Sequence, residues 1–116
     1  MSLHDTTIRL RHMLDYAREA VELTKDKTQD DLGTERILDL ALLHLITMIG
    51  EAANRIPSEF QAEHSEIPWA QIVGMRNRLV HEYDEINYNV LWLTVTEDLP
   101  VLISQLEKIV PPEEAE

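Results

Sequence analysis

The chain contains no cysteine among its 116 residues. Thiol catalysis, cysteine-ligated zinc and a disulfide frame are thereby excluded, and the composition fits a reducing cytoplasm, the expected compartment. Glycine and proline are sparse, three and five residues, and there is no Gly/Ser-rich linker, low-complexity tract or internal repeat, so helical periodicity is the main signal left to read. No basic region followed by an apolar one opens the chain, because Asp5, Arg9, Arg11 and His12 interrupt it, and no signal peptide is expected. The most apolar stretch, residues 38–49, is broken by Asp39 and His44. It falls short of the roughly 20 residues a membrane span needs, so no membrane association is expected.

Positive charge is also scarce. Ten basic against twenty-two acidic residues leave a formal charge of -12, which repels polyanions at long range and argues against a general nucleic-acid-binding surface. Any RNA contact must be local. The acidity suits solubility, and equally suits docking onto a basic partner. No phosphate-cradling glycine loop, Gly-x-Ser-x-Gly elbow or aromatic-basic stacking surface is present. His4, His12, His44 and His64 show no His-x-x-x-His or His/Glu metal spacing, so neither a metal nor a cofactor is expected. His44 reads as a hydrogen-bonded core residue and Glu113, Glu114 and Glu116 as a solvated tail.

The length is that of one domain with its own core, residues 1–116, with an acidic tail over about 111–116. Leu3, Thr7, Leu10, Leu14, Ala17 and Val21 recur at three- and four-residue steps and predict a first amphipathic helix from about Asp5 to Thr24. After a polar connection over residues 25–31, a second helix is predicted from Asp30 to Thr34 as far as about Arg55. Its apolar residues nearly encircle it, as in a helix that is central or contacted by a second protomer. Ser58 with Gln61 makes a capping-box pattern after Pro57, predicting a short helix around Phe60. Pro68 suits the first turn of the next helix, along which Trp69, Ile72, Val73, Arg76, Leu79, Val80 and Tyr83 share a stripe. Asn87 is placed to cap a last helix running through Leu91, Val95, Leu99, Leu102 and Leu106 to Ile109, with a kink at Pro100. The prediction is an all-α, up-and-down four-helix bundle with one additional short helix.

The chemistry concentrates in Arg76-Asn77-Arg78-Leu79-Val80-His81-Glu82-Tyr83. Arginine offers a planar fork that matches phosphate oxygens, and histidine titrates nearest neutrality. Taken singly, Arg76 equally reads as an arginine paired with a carboxylate of a neighbouring helix, Glu51 or Asp98 for instance. His81 reads as a helix-end histidine and Tyr83 as a core or interface aromatic. On one uninterrupted helix, at about 100° per residue, Arg76 and His81 point about 140° apart. To meet at one phosphate, either the helix ends around Val80 or a second copy of the motif supplies the missing group across a two-fold axis. The surplus apolar surface of the second helix favours the dimer.

This octapeptide resembles the Arg-x-x-x-x-His-x-Tyr signature of HepT-like toxins, a branch of the HEPN superfamily. The likeness extends to Ile49-Gly50-Glu51-Ala52-Ala53, to Ile67-Pro68-Trp69 with Ile72 and Met75, and to Trp92 with Leu99-Pro100, and covers the chain from the first helix to Val110. The resemblance implies a HEPN-like protomer that dimerises so that two motifs line one cleft. It also implies a metal-independent endoribonuclease toxin of a two-gene toxin–antitoxin module. Its antitoxin would be a nucleotidyltransferase that silences it by AMPylation of the motif tyrosine. By position, Arg76 and His81 would be catalytic, Asn77 a supporting polar residue and Tyr83 the modified one. A requirement for the ribose 2′-hydroxyl would exclude DNA. Two other readings stay open: a non-catalytic helical partner or regulatory subunit of a nucleotidyltransferase, and a nucleotide-binding helical domain in which Arg76 and Arg78 hold a phosphate without chemistry.

Overall fold

The computed structural model describes residues 2–80 and 85–112; His81 and Tyr83 lie outside the described residues. The described residues are predominantly helical, and the all-α prediction holds. Helix α1 spans Leu3–Thr24, where Ser2 caps it by accepting the Asp5 amide at 3.1 Å. It buries Leu10, Met13, Leu14, Ala17 and Ala20, while Leu3 projects into solvent. The connection carries a 3-10 turn, Gln29–Asp31, and then Gly33 at φ +86. The Gly33 amide donates to both carboxylate oxygens of the buried Asp39, at 3.1 and 3.0 Å.

Helix α2, Arg36–Asn54, packs on α1 and on the segment that carries the motif. By length and composition it is apolar enough to cross a membrane. Within the protein, Leu42, Ile46, Ile49 and Ala53 are completely buried, as in a core helix. Each such aliphatic side chain contributes about 1.5 to 3 kcal/mol through removal of apolar surface from water. The opposite stripe is uncovered: Ile37 is 84% exposed and Leu40 46% exposed, and His44 lies on the same face. The expectation that His44 belongs to the core is therefore corrected, because no described element packs over that side of α2.

Helix α3, Ser58–Glu63, follows with Pro57 as its cap residue. The capping box expected from Ser58 and Gln61 does not form. Gln61 instead turns back and donates through Nε2 to the carbonyl of Ala53, which also accepts the Ile56 amide, and to that of Ile56, at 3.3 and 3.1 Å, tying α3 to the end of α2.

The helix expected to run from Pro68 through the motif is two short ones, α4 (Trp69–Val73) and α5 (Met75–Leu79), broken at Gly74. The break explains which side chains go inward: Trp69, Ile72, Met75 and Leu79 are buried, and Arg76 falls outside that register. Gly50 lets α2 approach closely, since a Cβ there would lie 3.2 Å from the Ile72 carbonyl and 3.3 Å from that of Val73.

Asn87 caps α6, Tyr88–Leu93, accepting the Val90 amide at 3.1 Å as its sequence position predicted. A π-helical turn, Thr94–Asp98, joins it to α7, Leu99–Glu107. Pro100 cannot donate to Thr96, and its ring would crowd that carbonyl in a regular α-helix. The wider turn ahead of it, with Leu99 N–H bonding Thr94 O, absorbs the mismatch over a full turn.

Candidate active site

The local geometry of the motif begins where α5 ends. Val80 adopts φ -115 and ψ 124, so the chain leaves the helix at Leu79 and runs extended toward His81. Val80 forms an isolated antiparallel bridge with Ile86, and the Asn87 amide donates to the Leu79 carbonyl at 2.7 Å. These contacts make a neck between the end of α5 and the segment that precedes Tyr88. Helix termination around Val80, one of the two routes by which His81 escapes the 140° separation, is thus what the structure shows.

Arg76 is exposed rather than set among apolar side chains, which corrects the stripe read from the sequence. It forms no ion pair among the described residues, neither with Glu51 nor with Asp98. Asp98 lines a different groove, together with Arg78, whose Nη2 donates to the Gln71 carbonyl at 3.1 Å. Arg78 is therefore occupied in tying α5 to α4, while Arg76 remains available.

Arg76 and Asn77 share one groove with Thr47, Gly50, Glu51, Asn54 and Arg55 of α2 and with Val73. Its volume is about 350 Å³ and its lining is mainly polar, near the small end of ligand-binding clefts. Thr47 is committed to its own helix, donating to Leu43 O at 2.8 Å. The structure therefore brings Arg76 and Asn77 together with Glu51, expected from the sequence only as an ion-pair partner of Arg76, and adds Asn54 and Arg55, to which the sequence assigned no role. The spacing of residues 47, 51 and 54 on one face of α2, continued by its cap residue Arg55, was the available signal. Among the described residues no group of three or more His, Asp or Glu side chains is arranged to hold a metal.

The helical fold of the described residues is consistent with a HEPN-like architecture. The model of the family described as Ribonuclease HepT-like matches residues 13–109, and the chain belongs to that family of ribonucleases. It is 35% identical to "Putative RNase TTE0752" of Caldanaerobacter subterraneus subsp. tengcongensis, over 90% of this chain and 93% of that protein. It is 37% identical to "Probable ribonuclease HepT" of Thermococcus cleftensis, over 78% of this chain and 86% of that one. Similarity to "Putative RNase MJ1380" of Methanocaldococcus jannaschii is 33% identity over 92% and 98% of the respective chains. No solved structure matches the chain.

Proposed function

We propose that this ribonuclease is the toxin of a toxin–antitoxin pair and cleaves RNA without a metal, using Arg76 and His81. The observation that carries the reading is the uncommitted, exposed guanidinium of Arg76 beside Asn77 in an open polar groove, in a chain of this family. His81 removes the proton from a ribose 2′-hydroxyl, a contribution of about 10² to 10⁴ in rate. The 2′-oxygen attacks the adjacent phosphorus, the 5′-oxygen of the next nucleotide leaves with a proton, and a 2′,3′-cyclic phosphate remains. Arg76 stabilises the charge that develops on the phosphate oxygens, and Asn77 supplies a neutral donor beside it. DNA, lacking the nucleophile, is not cut.

The protomer acts as a homodimer, with the second histidine protonating the leaving group. Support comes from the uncovered apolar residues Ile37 and Leu40 on the same face of α2 that leads down to the groove. Control is by a cognate nucleotidyltransferase that transfers AMP to Tyr83. Two residues from His81 in sequence, the added phosphodiester repels substrate phosphate and the adenosine obstructs it.

The test is cleavage of an oligoribonucleotide by the purified protein, its His81→Ala and its Arg76→Ala. Loss of cleavage in both variants, with unchanged helicity, is the expected result; full activity in His81→Ala refutes the assignment. Incubation with the nucleotidyltransferase and ATP is expected to add the mass of one AMP to the Tyr83 peptide and to stop cleavage.

A further inference from the structure

We infer that Arg55 is a second phosphate-binding residue of the groove, holding a phosphate that flanks the scissile one. The inference rests on the reading of the groove as a ribonuclease site and adds to it how substrate is gripped. Of the ten basic residues in the chain, Arg55 and Arg76 are the two that line this groove. The single carboxylate in the same lining is Glu51, so the described lining has two positive groups and one negative, a net charge of +1. On a chain carrying -12 overall, that local reversal of sign is what a polyanion needs in order to be held.

The Arg55 side chain is free to do this. It is exposed and makes no hydrogen bond or ion pair among the described residues. Arginine near a helix C-terminus often serves the leftover carbonyls of the last turn. Here that task falls to Gln61, which donates to Ala53 O and Ile56 O on either side of Arg55. Arg18, by contrast, is held by Glu107 at 2.7 Å, and Arg78 by the Gln71 carbonyl. Arg55 is the cap residue at the C-terminal end of α2 and Arg76 stands on α5, and both line the groove. Two guanidinium groups arriving from different helices grip successive phosphates of one strand, with Arg76 on the reacting phosphate and Arg55 on its neighbour.

The test compares two substrates: a diribonucleotide with a single phosphodiester, and an oligoribonucleotide with flanking phosphates. For Arg55→Ala, KM for the oligonucleotide is expected to rise about tenfold with kcat little changed, the loss of one charge-assisted contact. The slope of log KM against log salt is expected to fall by about 0.7, the value for one phosphate contact on a single strand. The diribonucleotide is expected to be cleaved at the parent rate. Arg55→Lys, which keeps the charge, is expected to recover most of the affinity. An oligonucleotide KM and salt slope unchanged in Arg55→Ala, while Arg76→Ala still abolishes cleavage, would overturn the role of Arg55 and leave the ribonuclease reading standing. An equal penalty on both substrates would also overturn it. Absence of RNA cleavage by the parent protein would overturn the reading and this inference together.

Discussion

The Asn87 amide donates to the Leu79 carbonyl at 2.7 Å, and the Asn87 side chain accepts the Val90 amide at 3.1 Å, so one residue both ties the chain back to the end of α5 and starts α6. Two substitutions separate these roles. Asn87→Ala removes the cap and is expected to cost about 1 kcal/mol of stability, measured by urea denaturation. Asn87→Pro removes the neck donor as well; φ -83 at this position and the extended bridge residue Ile86 before it suit proline. A further loss of about 1 kcal/mol is expected. RNA cleavage is expected to drop more in Asn87→Pro than in Asn87→Ala, since the neck ties the end of α5, which bears Arg76, to the segment that follows the motif in sequence. Equal activity of the two variants would show that the neck does not support the site.

Gly50 sets the distance between α2 and the motif-bearing segment. Valine at this position gains about 0.5 kcal/mol in helix propensity. It also drives a branched side chain into the Ile72 and Val73 carbonyls, where a single Cβ already stands at 3.2 and 3.3 Å. Backbone cannot swing aside as a side chain can, and overpacking of this kind costs about 1 to 3 kcal/mol. Gly50→Val is therefore expected to be destabilised by about 1 to 2 kcal/mol net, lowering Tm by about 5 °C or more. Activity is expected to fall further than the loss of folded protein explains, because Glu51 and Arg55 would be levered away from Arg76.

At the start of α1, hydrogen bonding from the Ser2 side chain, then from its backbone, holds the Asp5 carboxyl below its ordinary value of 3.8. The sign follows from linkage. A carboxyl with a depressed folded value contributes stability above the unfolded value and loses it as pH falls through the folded one. The first turn of α1 is therefore expected to fray only below about pH 3.8 in the parent. In Ser2→Ala the Asp5 titration is expected to move up toward 3.8. Side-chain NMR titration of Asp5 reads this directly, and an unmoved midpoint would remove Ser2 as the cause.

The helical class was legible because apolar spacing along α1 and α2 is regular and Asn87 is a strong cap signal. The course of the motif was less so. Arg76 fits the apolar stripe of an ideal helix begun at Pro68, and only the interruption at Gly74 turns it outward to the groove. A single glycine inside an apolar pattern does not by itself fix a break, and Gly74 lies at φ -90 and ψ 0, a conformation open to other residues. Arg55 escaped notice for a related reason, since its importance lies in what α5 brings opposite it. His44 misled because an almost fully apolar helix suggests burial all round, whereas one face of α2 is left bare.

That bare face bears on assembly. Ile37 at 84% and Leu40 at 46% exposure lose little by pointing to solvent singly, but together with His44 they form a strip on α2 that leads toward Glu51 and Arg55. Burying what these two side chains still expose supplies about 2 to 4 kcal/mol per subunit, whereas a carboxylate there would need desolvation without a partner. Ile37→Glu combined with Leu40→Glu is therefore expected to convert a dimer to a monomer in sedimentation equilibrium. Both positions are exposed in the protomer, so circular dichroism and Tm are expected to change little. If the site is completed by the partner's motif, the monomeric variant loses RNA cleavage while keeping its fold. Full cleavage by a folded monomer would instead mean that Arg76 and His81 of one protomer suffice.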